Sequence, residues 1–359
     1  MIIEALNNNY EVFLEMIQFE ITGRCNMKCN HCRAWGDPHK DISLKTVETV
    51  LDFAIPEAHS EIRFTISGGE PLLHPQFFDI LRMIKKKVES SEKQLDHTVI
   101  TTNGSLITKN IIDELEDINL GELFVQISID NHVANIHDKF RNFPGSFDKA
   151  IQALEIVVNS NLIPMIRTTV TTDELTEIEE MIKLADNYGV KRVSLGPVIP
   201  SGKAQLDNSL ILSPSQKKTF IENILLLRPK FPNISISTED PVKFSIFPKE
   251  WDYGNFDYSD NSFIGGCSAG ITNMNVLPDG TITPCSMLLK SIVNVQGKSS
   301  QEVLDAYSSS EIIRNLVERN LEGGCNTCEF KRLCGGCRAT AEGMNNNYLS
   351  EDPTCWKCQ

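Results

Sequence analysis

Met16-Ile-Gln-Phe-Glu-Ile-Thr22-Gly-Arg-Cys25-Asn-Met-Lys-Cys29-Asn-His-Cys32 joins a short β-branched run to three cysteines spaced by three and two residues. Met16 to Thr22 reads as a strand, so the cysteines fall at its C-terminal end. Three thiols on one loop form a compact set of soft ligands that packing alone does not call for. Iron-sulfur clusters are held by cysteine thiolates, and a four-iron cubane given only three of them keeps one iron open for chemistry. For the triplet by itself, a zinc knuckle short of one ligand and three core cysteines are the competing readings.

Outward from this run, short β-branched stretches alternate with amphipathic helical patterns, the signature of a parallel sheet wound with helices. The strand candidates are Met16 to Thr22, Glu61 to Ser67, His97 to Thr102, Leu123 to Ile129, Pro164 to Thr171 and Lys191 to Val198. Of the five helices expected between them, the clearest carries Phe147, Ala150, Ile151, Leu154 and Val157 behind Ser146 as N-cap. Another runs from Asp173 to Gly189, where glycine suits a left-handed C-terminal position. A closed (β/α)8 barrel takes ~250 residues. Six strands between residues 16 and 199 instead fit an α/β fold of the partial (β/α)6 TIM-like type, open at the side for a bulky substrate.

The chain has 359 residues, enough for this barrel and a smaller domain. With 34 Lys and Arg against 48 Asp and Glu, the net charge of -14 argues against a nucleic-acid partner. No apolar run approaches the ~20 residues of a membrane span. The opening Met1-Ile-Ile-Glu-Ala lacks a basic n-region, so the expectation is a cytoplasmic protein with no membrane partner. In that reducing compartment the 11 cysteines point to metal ligation rather than disulfides. Eight of them lie between Cys267 and Cys358, which is two sets of four.

Beyond the barrel, a helical pattern from Pro214 to Leu227 is followed by a loop crowded with aromatics between Phe244 and Phe263. Long loops in compact domains tend to be functional; the alternative is a loop pinned by its own rings. Thr272 to Leu277 and Thr281 to Cys285 flank Pro278-Asp279-Gly280 and read as a hairpin. A helix is expected from about Gln301 to Asn320, and then a cysteine- and glycine-rich coil. These features divide the chain into 1–210 (barrel), 211–264 (bridging helix and aromatic loop) and 265–359 (cysteine-rich domain).

Active sites of β/α barrels lie at the C-terminal strand ends, and every unusual polar stretch falls there. The cysteine triplet follows strand one, Ser67-Gly68-Gly69-Glu70-Pro71 closes strand two, Thr101-Thr102-Asn103-Gly104 closes strand three, and Ser128-Ile129-Asp130 closes strand four.

On these residues the chain resembles the radical S-adenosylmethionine (radical SAM) enzymes. Cys25, Cys29 and Cys32 match the CxxxCxxC motif of that family, and Gly68-Gly69-Glu70-Pro71 matches its GGEP motif. The resemblance implies a [4Fe-4S] cluster on the triplet that chelates S-adenosylmethionine through its open iron. Gly68 and Gly69 would approach that cofactor closely, and Glu70 would take its ammonium. Ser128 and Asp130 would lie at the ribose, and Asn103 on the pocket floor. Arg141 would contact the carboxylate; a surface ion pair is the other reading of that arginine. The implied chemistry is one-electron cleavage of the sulfonium, with the electron from a flavodoxin- or ferredoxin-type reductant.

The C-terminal cysteines are similar to the SPASM extension, which holds two auxiliary [4Fe-4S] clusters. The resemblance gives Cys325, Cys328, Cys334 and Cys355 to one cluster. It gives Cys267, Cys285 and Cys337 to the other, completed by Cys358 or by substrate. Two residues rather than three separate Cys334 from Cys337, and Cys358 is an additional cysteine. Ser286 stands where sulfatase-maturing members carry an aspartate, which disfavours that activity. The leading expectation is a maturase that oxidises or cross-links a peptide by a thioether, C-C or C-O bond, with a separate leader-binding partner protein or its own leader recognition. A small-molecule or tetrapyrrole-modifying radical SAM enzyme and a noncatalytic metal protein are the alternatives; no residue is singled out as a catalytic acid or base.

Overall fold

The computed structural model describes residues 1–4, 9–35, 40–246 and 265–358. Strands β1 (Ile2–Glu4) and β2 (Asn9–Glu11) form a separate antiparallel ribbon. Then β3 (Leu14–Thr22), β4 (Ala58–Gly68), β5 (Gln94–Thr102), β6 (Glu122–Ser128), β7 (Ile163–Val170) and β8 (Arg192–Pro197) lie side by side, parallel and in chain order. These are the six strands of the sequence reading, with ends moved by a few residues. The fold is α/β and fits a partial TIM barrel with a C-terminal extension.

The sheet is wider than six strands. Beyond β8 it gains β9 (Ser235–Ser237), parallel to its neighbour. At the other edge β10 (Asn273–Val276) pairs parallel with β3, and β11 (Thr281–Thr283) and β12 (Val293–Asn294) follow antiparallel. The expected hairpin is thus β10–β11, turning at Gly280 with φ +84°. Its first strand covers the open edge of β3, which would otherwise expose a row of unpaired backbone groups.

Helices α1 (Leu44–Ala54), α2 (Phe77–Glu89), α3 (Lys109–Ile118), α4 (Ala134–Arg141), α5 (Ser146–Val158) and α6 (Ile178–Asn187) connect the strands. Strand residues alternate between two faces. Ile17, Phe19 and Ile21 of β3 and Ile62, Phe64 and Ile66 of β4 enter one continuous core with Val47, Val50, Ile80 and Ile84 of the helices. The opposite, concave face is polar. There Gln18 Nε2 donates to Ser67 Oγ, Gln126 Nε2 to Thr101 Oγ1 and Arg167 Nη1 to Ser194 Oγ, each at 2.9 Å.

Three local expectations are corrected. Ser146 is the first residue of α5 and not its N-cap; Gly145 takes that place, at φ +79°. The Asp138 carboxylate from α4 accepts the Gly145 and Phe147 amides and the Ser146 hydroxyl at 2.6–2.8 Å, and a charged acceptor outcompetes a serine hydroxyl. The helix expected over 301–320 is two, α8 (Ser300–Ser308) and α9 (Glu311–Glu318), because Ser308-Ser309-Ser310 offers the backbone other partners. The segment from Asp173 opens with a 3-10 turn before α6, and Gly189 is left-handed as expected. By contrast α7 (Pro214–Leu227) has the expected bounds, fixed by a Ser213–Gln216 capping box. Of the aromatic loop, Phe244 is buried in the core, whereas Phe247 to Phe263 lie outside the described residues. No helix among the described residues is long and apolar enough to cross a membrane.

Candidate active site

The loop leaving β3 is clamped before its first cysteine. Thr22 Oγ1 donates to Asp41 at 2.6 Å, and the Arg24 guanidinium spans Asp41 Oδ2 (2.8 Å) and the Leu73 carbonyl (2.6 Å). On the far side, the Asn30 amide donates to the Phe140 carbonyl at 3.0 Å, and the His31 ring stacks on Phe140 at 4.5 Å. Cys25, Cys29 and Cys32 are therefore held between the end of β4 and α4. None is in a disulfide. Burial pushes the Cys25 thiol up to about 11, and the Cys29 thiol up as well, with the Arg141 cation opposing both.

Gly68 and Gly69 serve this loop directly. Gly68 has φ +141°, and a Cβ there would meet the Thr22 carbonyl at 2.4 Å. A Cβ on Gly69 would lie 2.2 Å from the Arg24 carbonyl and 3.0 Å from Cys25 Cβ. The Gly69 and Glu70 amides donate to the Thr22 and Arg24 carbonyls at 2.7 and 2.8 Å. The glycines thus permit close contact between two pieces of chain. Gly69→Ala forces the Cys25 loop off the end of β4, so the variant is expected to contain less iron than wild type after anaerobic reconstitution, measured by an iron assay.

Glu70 is fully buried. Its carboxylate accepts from Thr102 Oγ1 and the Asn103 amide at 2.8 Å and from the Leu72 amide at 3.3 Å. Burial raises its pKa to about 7 against the pull of those donors. Asn103 Nδ2 continues the chain of contacts to Asn26 Oδ1 at 2.9 Å, back into the cysteine loop.

Arg141 is not a surface residue. It is buried, and its Nε donates to Asp130 Oδ2 at 2.6 Å. Asp130 is enclosed too and also accepts the Thr169 amide at 2.9 Å, so its carboxylate positions Arg141 and ties β6 to β7. Burial opposes its charge, but Arg141 prevails and holds the carboxyl well below the usual range. Burial also lowers the pKa of His31 and of His137 to about 4. Ser128 ends β6, half-buried, paired in register with Arg167. Cys25, Cys29, Cys32, Glu70, Asn103, Ser128, Asp130 and Arg141 all lie at or just beyond the C-terminal ends of β3 to β6.

The eight remaining cysteines form two groups. Cys325, Cys328, Cys334, Cys355 and Cys358 line one small cavity, with Cys325 Sγ and Cys358 Sγ 3.8 Å apart. Cys285 and Cys337 pack around Leu288, and Cys267 is near enough for its charge to act on both. Cys358 therefore lies with Cys325 and not with Cys267, Cys285 and Cys337. Between the groups lies a buried ion cluster that the sequence did not announce. Lys217 Nζ of α7 meets Asp240 Oδ2 at 2.9 Å, Asp352 Oδ2 at 3.5 Å and Thr354 Oγ1 at 2.6 Å. Buried and half-buried thiols without disulfides, gathered into three groups, are a donor set suited to iron-sulfur clusters.

Residues 19–185 match the model of the Radical SAM superfamily. The AdoMet-dependent heme synthase of Methanosarcina barkeri is 28% identical over 95% of this chain and 95% of its own. The subtilosin biosynthesis protein AlbA of Bacillus subtilis is 23% identical over 94% of this chain and 69% of its own. Among solved structures, Streptococcus suis SuiB bound to its precursor peptide SuiA superposes with a TM-score of 0.71 at 17% identity, over 97% of this chain and 76% of that one. Cysteine triplet, strand-end glycines and parallel sheet agree with these matches: residues 19–185 of the chain form a Radical SAM domain.

Proposed function

We propose that Cys25, Cys29 and Cys32 hold the [4Fe-4S] cluster and that S-adenosylmethionine binds beside them. The observation that carries this is the meeting of the triplet, Glu70 and the Asp130–Arg141 pair at neighbouring strand ends. When bound, the two cofactors supply a 5'-deoxyadenosyl radical by one-electron cleavage of the sulfonium. Arg141, made rigid by Asp130, orients the methionine carboxylate. Glu70 faces the ammonium and holds Thr102 and Asn103 in place. Ser128 meets the ribose, and Asn103 braces the floor of the pocket through Asn26. Gly68 and Gly69 keep this floor tight against the cysteine loop.

In the same reading, residues 1–210 are the barrel, 211–264 the bridge and 265–359 a SPASM domain with two auxiliary [4Fe-4S] clusters. Cys325, Cys328, Cys334 and Cys355 hold one, with Cys358 as a surplus thiol beside it. Cys267, Cys285 and Cys337 hold the other and leave one iron position open. A flavodoxin- or ferredoxin-type protein in the cytoplasm delivers the electron.

The substrate is a carboxylate-bearing tetrapyrrole in the first reading. The heme synthase match over nearly both full lengths supports it, as does the polar concave face of the barrel. A peptide, modified with or without a leader-binding partner, is the second reading, supported by the similarity to AlbA. Anaerobic turnover with reductant and S-adenosylmethionine decides between them. The expected result is deoxyadenosine formed together with a mass change in iron coproporphyrin III. Deoxyadenosine with a mass change only in a precursor peptide moves the substrate to the second reading, and no deoxyadenosine under any reductant overturns the radical chemistry itself.

A further inference from the structure

Barrel interiors are ordinarily packed with branched apolar side chains, but on this concave face polar groups find polar partners. Gln18 pairs with Ser67, Gln126 with Thr101, Glu20 with Arg33, and Asp130 with Arg141. Arg167 is the exception. Of its five N–H donors, one is used, by Nη1 on Ser194 Oγ at 2.9 Å. No carboxylate among the described residues pairs with it.

The neighbouring strand makes room for this cation. Arg167 stands between Ser128 of β6 and Ser194 of β8 in register. Two residues beyond Ser194, a Cβ on Gly196 would lie 2.1 Å from Arg167 Nη2 and 2.7 Å from Cζ and Nη1. Only glycine clears the space the guanidinium fills. Glu239 and Asp130 are near enough for their charges to act on Arg167, but neither bonds it, and a half-buried fork of N–H groups on a concave face has the geometry that carboxylates match with two bonds.

We infer that Arg167, steadied by Ser194 and given room by Gly196, anchors a carboxylate of the substrate on the concave face of the barrel, level with Ser128. This rests on the first substrate reading above. In it the substrate is polyanionic, and one carboxylate fixes which part of it faces the strand ends.

The test uses the reconstituted full chain and two probes, iron coproporphyrin III with its four propionates and the tetramethyl ester of the same compound, titrated by absorbance. The tetracarboxylate is expected to bind Arg167→Gln at least tenfold more weakly than wild type, and Arg167→Lys with an intermediate loss. The ester is expected to bind wild type and Arg167→Gln equally. Gly196→Ala, which displaces the guanidinium and leaves its charge, is expected to weaken the tetracarboxylate alone. Equal binding of the tetracarboxylate to wild type and Arg167→Gln overturns the anchor. So does an equal loss of S-adenosylmethionine affinity in Arg167→Gln, which makes the arginine a cofactor contact. Wild-type protein that forms deoxyadenosine but does not bind the tetracarboxylate overturns the anchor and leaves the radical reading standing. Binding that depends on Arg167 in a protein that forms no deoxyadenosine supports the anchor and overturns the radical reading.

Discussion

Replacing Cys25, Cys29 and Cys32 together by alanine is expected to remove about four of roughly twelve irons, and an equal amount of sulfide, from the reconstituted protein. Deoxyadenosine formation should fall below detection. The expected loss is four irons, although the residues removed number three, because a cubane with an open iron leaves as a unit once its thiolates are gone. The fold should survive. The triplet lies on a loop outside the main core, and Cys25 and Cys32 are only partly buried. The clamp of Thr22 and Arg24 on Asp41 and the Asn30–Phe140 bond do not use the thiols. Iron and sulfide assays, a deoxyadenosine assay and a thermal melt check the three parts, and an unchanged iron content contradicts the assignment of the triplet.

The second large effect is expected far from the strand ends. Lys217→Met removes the cation that two buried carboxylates share, and breaking such a cluster from one side costs about 3–5 kcal/mol. Asp240 and Asp352 are left facing each other with only hydroxyl and amide donors. The consequence reaches the cysteines, because Asp352 accepts the Cys337 amide at 2.8 Å and its own amide donates to Cys325 Sγ at 3.4 Å. Both C-terminal groups hang on this one lysine. The variant is therefore expected to lose up to about eight irons and keep about four at the triplet, the reverse of the alanine variant. Denaturant unfolding and iron content measure it. Lys217→Met/Asp240→Asn should recover part of the stability, since one of the two stranded charges is gone.

The six strands and α7 were legible because their signals are local. Period-two runs, the Ser213 cap and the Pro278-Asp279-Gly280 turn act within a few residues. The placement of the cysteine triplet, Glu70, Asn103, Ser128 and Asp130 at neighbouring strand ends was legible for a related reason, since strand order in a β/α repeat fixes which chain ends share a face. Arg141 was found but could not be placed: partner and burial are properties of the fold, and the chain carries no mark that Asp130 is its partner.

Arg167 shows the same limit from the other side. It is visible in the sequence as a charged residue inside a β-branched strand, yet its meaning depends on Ser194 standing opposite in the next strand, on Gly196 two residues further on, and on the lack of a bonded carboxylate among the described residues. Similarly, eleven cysteines announce metal chemistry, but only the tertiary structure puts Cys358 beside Cys325 and separates it from Cys267, Cys285 and Cys337. The same holds for β10, which reads in the sequence as half of a hairpin and which in the fold also covers the open edge of β3. By itself, then, the sequence determined elements, strand ends and ligand chemistry, because periodicity, capping and residue type act over a few positions. Edge pairing, the sharing of Lys217 by two carboxylates and the grouping of thiols were decided by the tertiary structure, because each depends on which distant residue arrives to fill a hydrogen bond, a charge or a void.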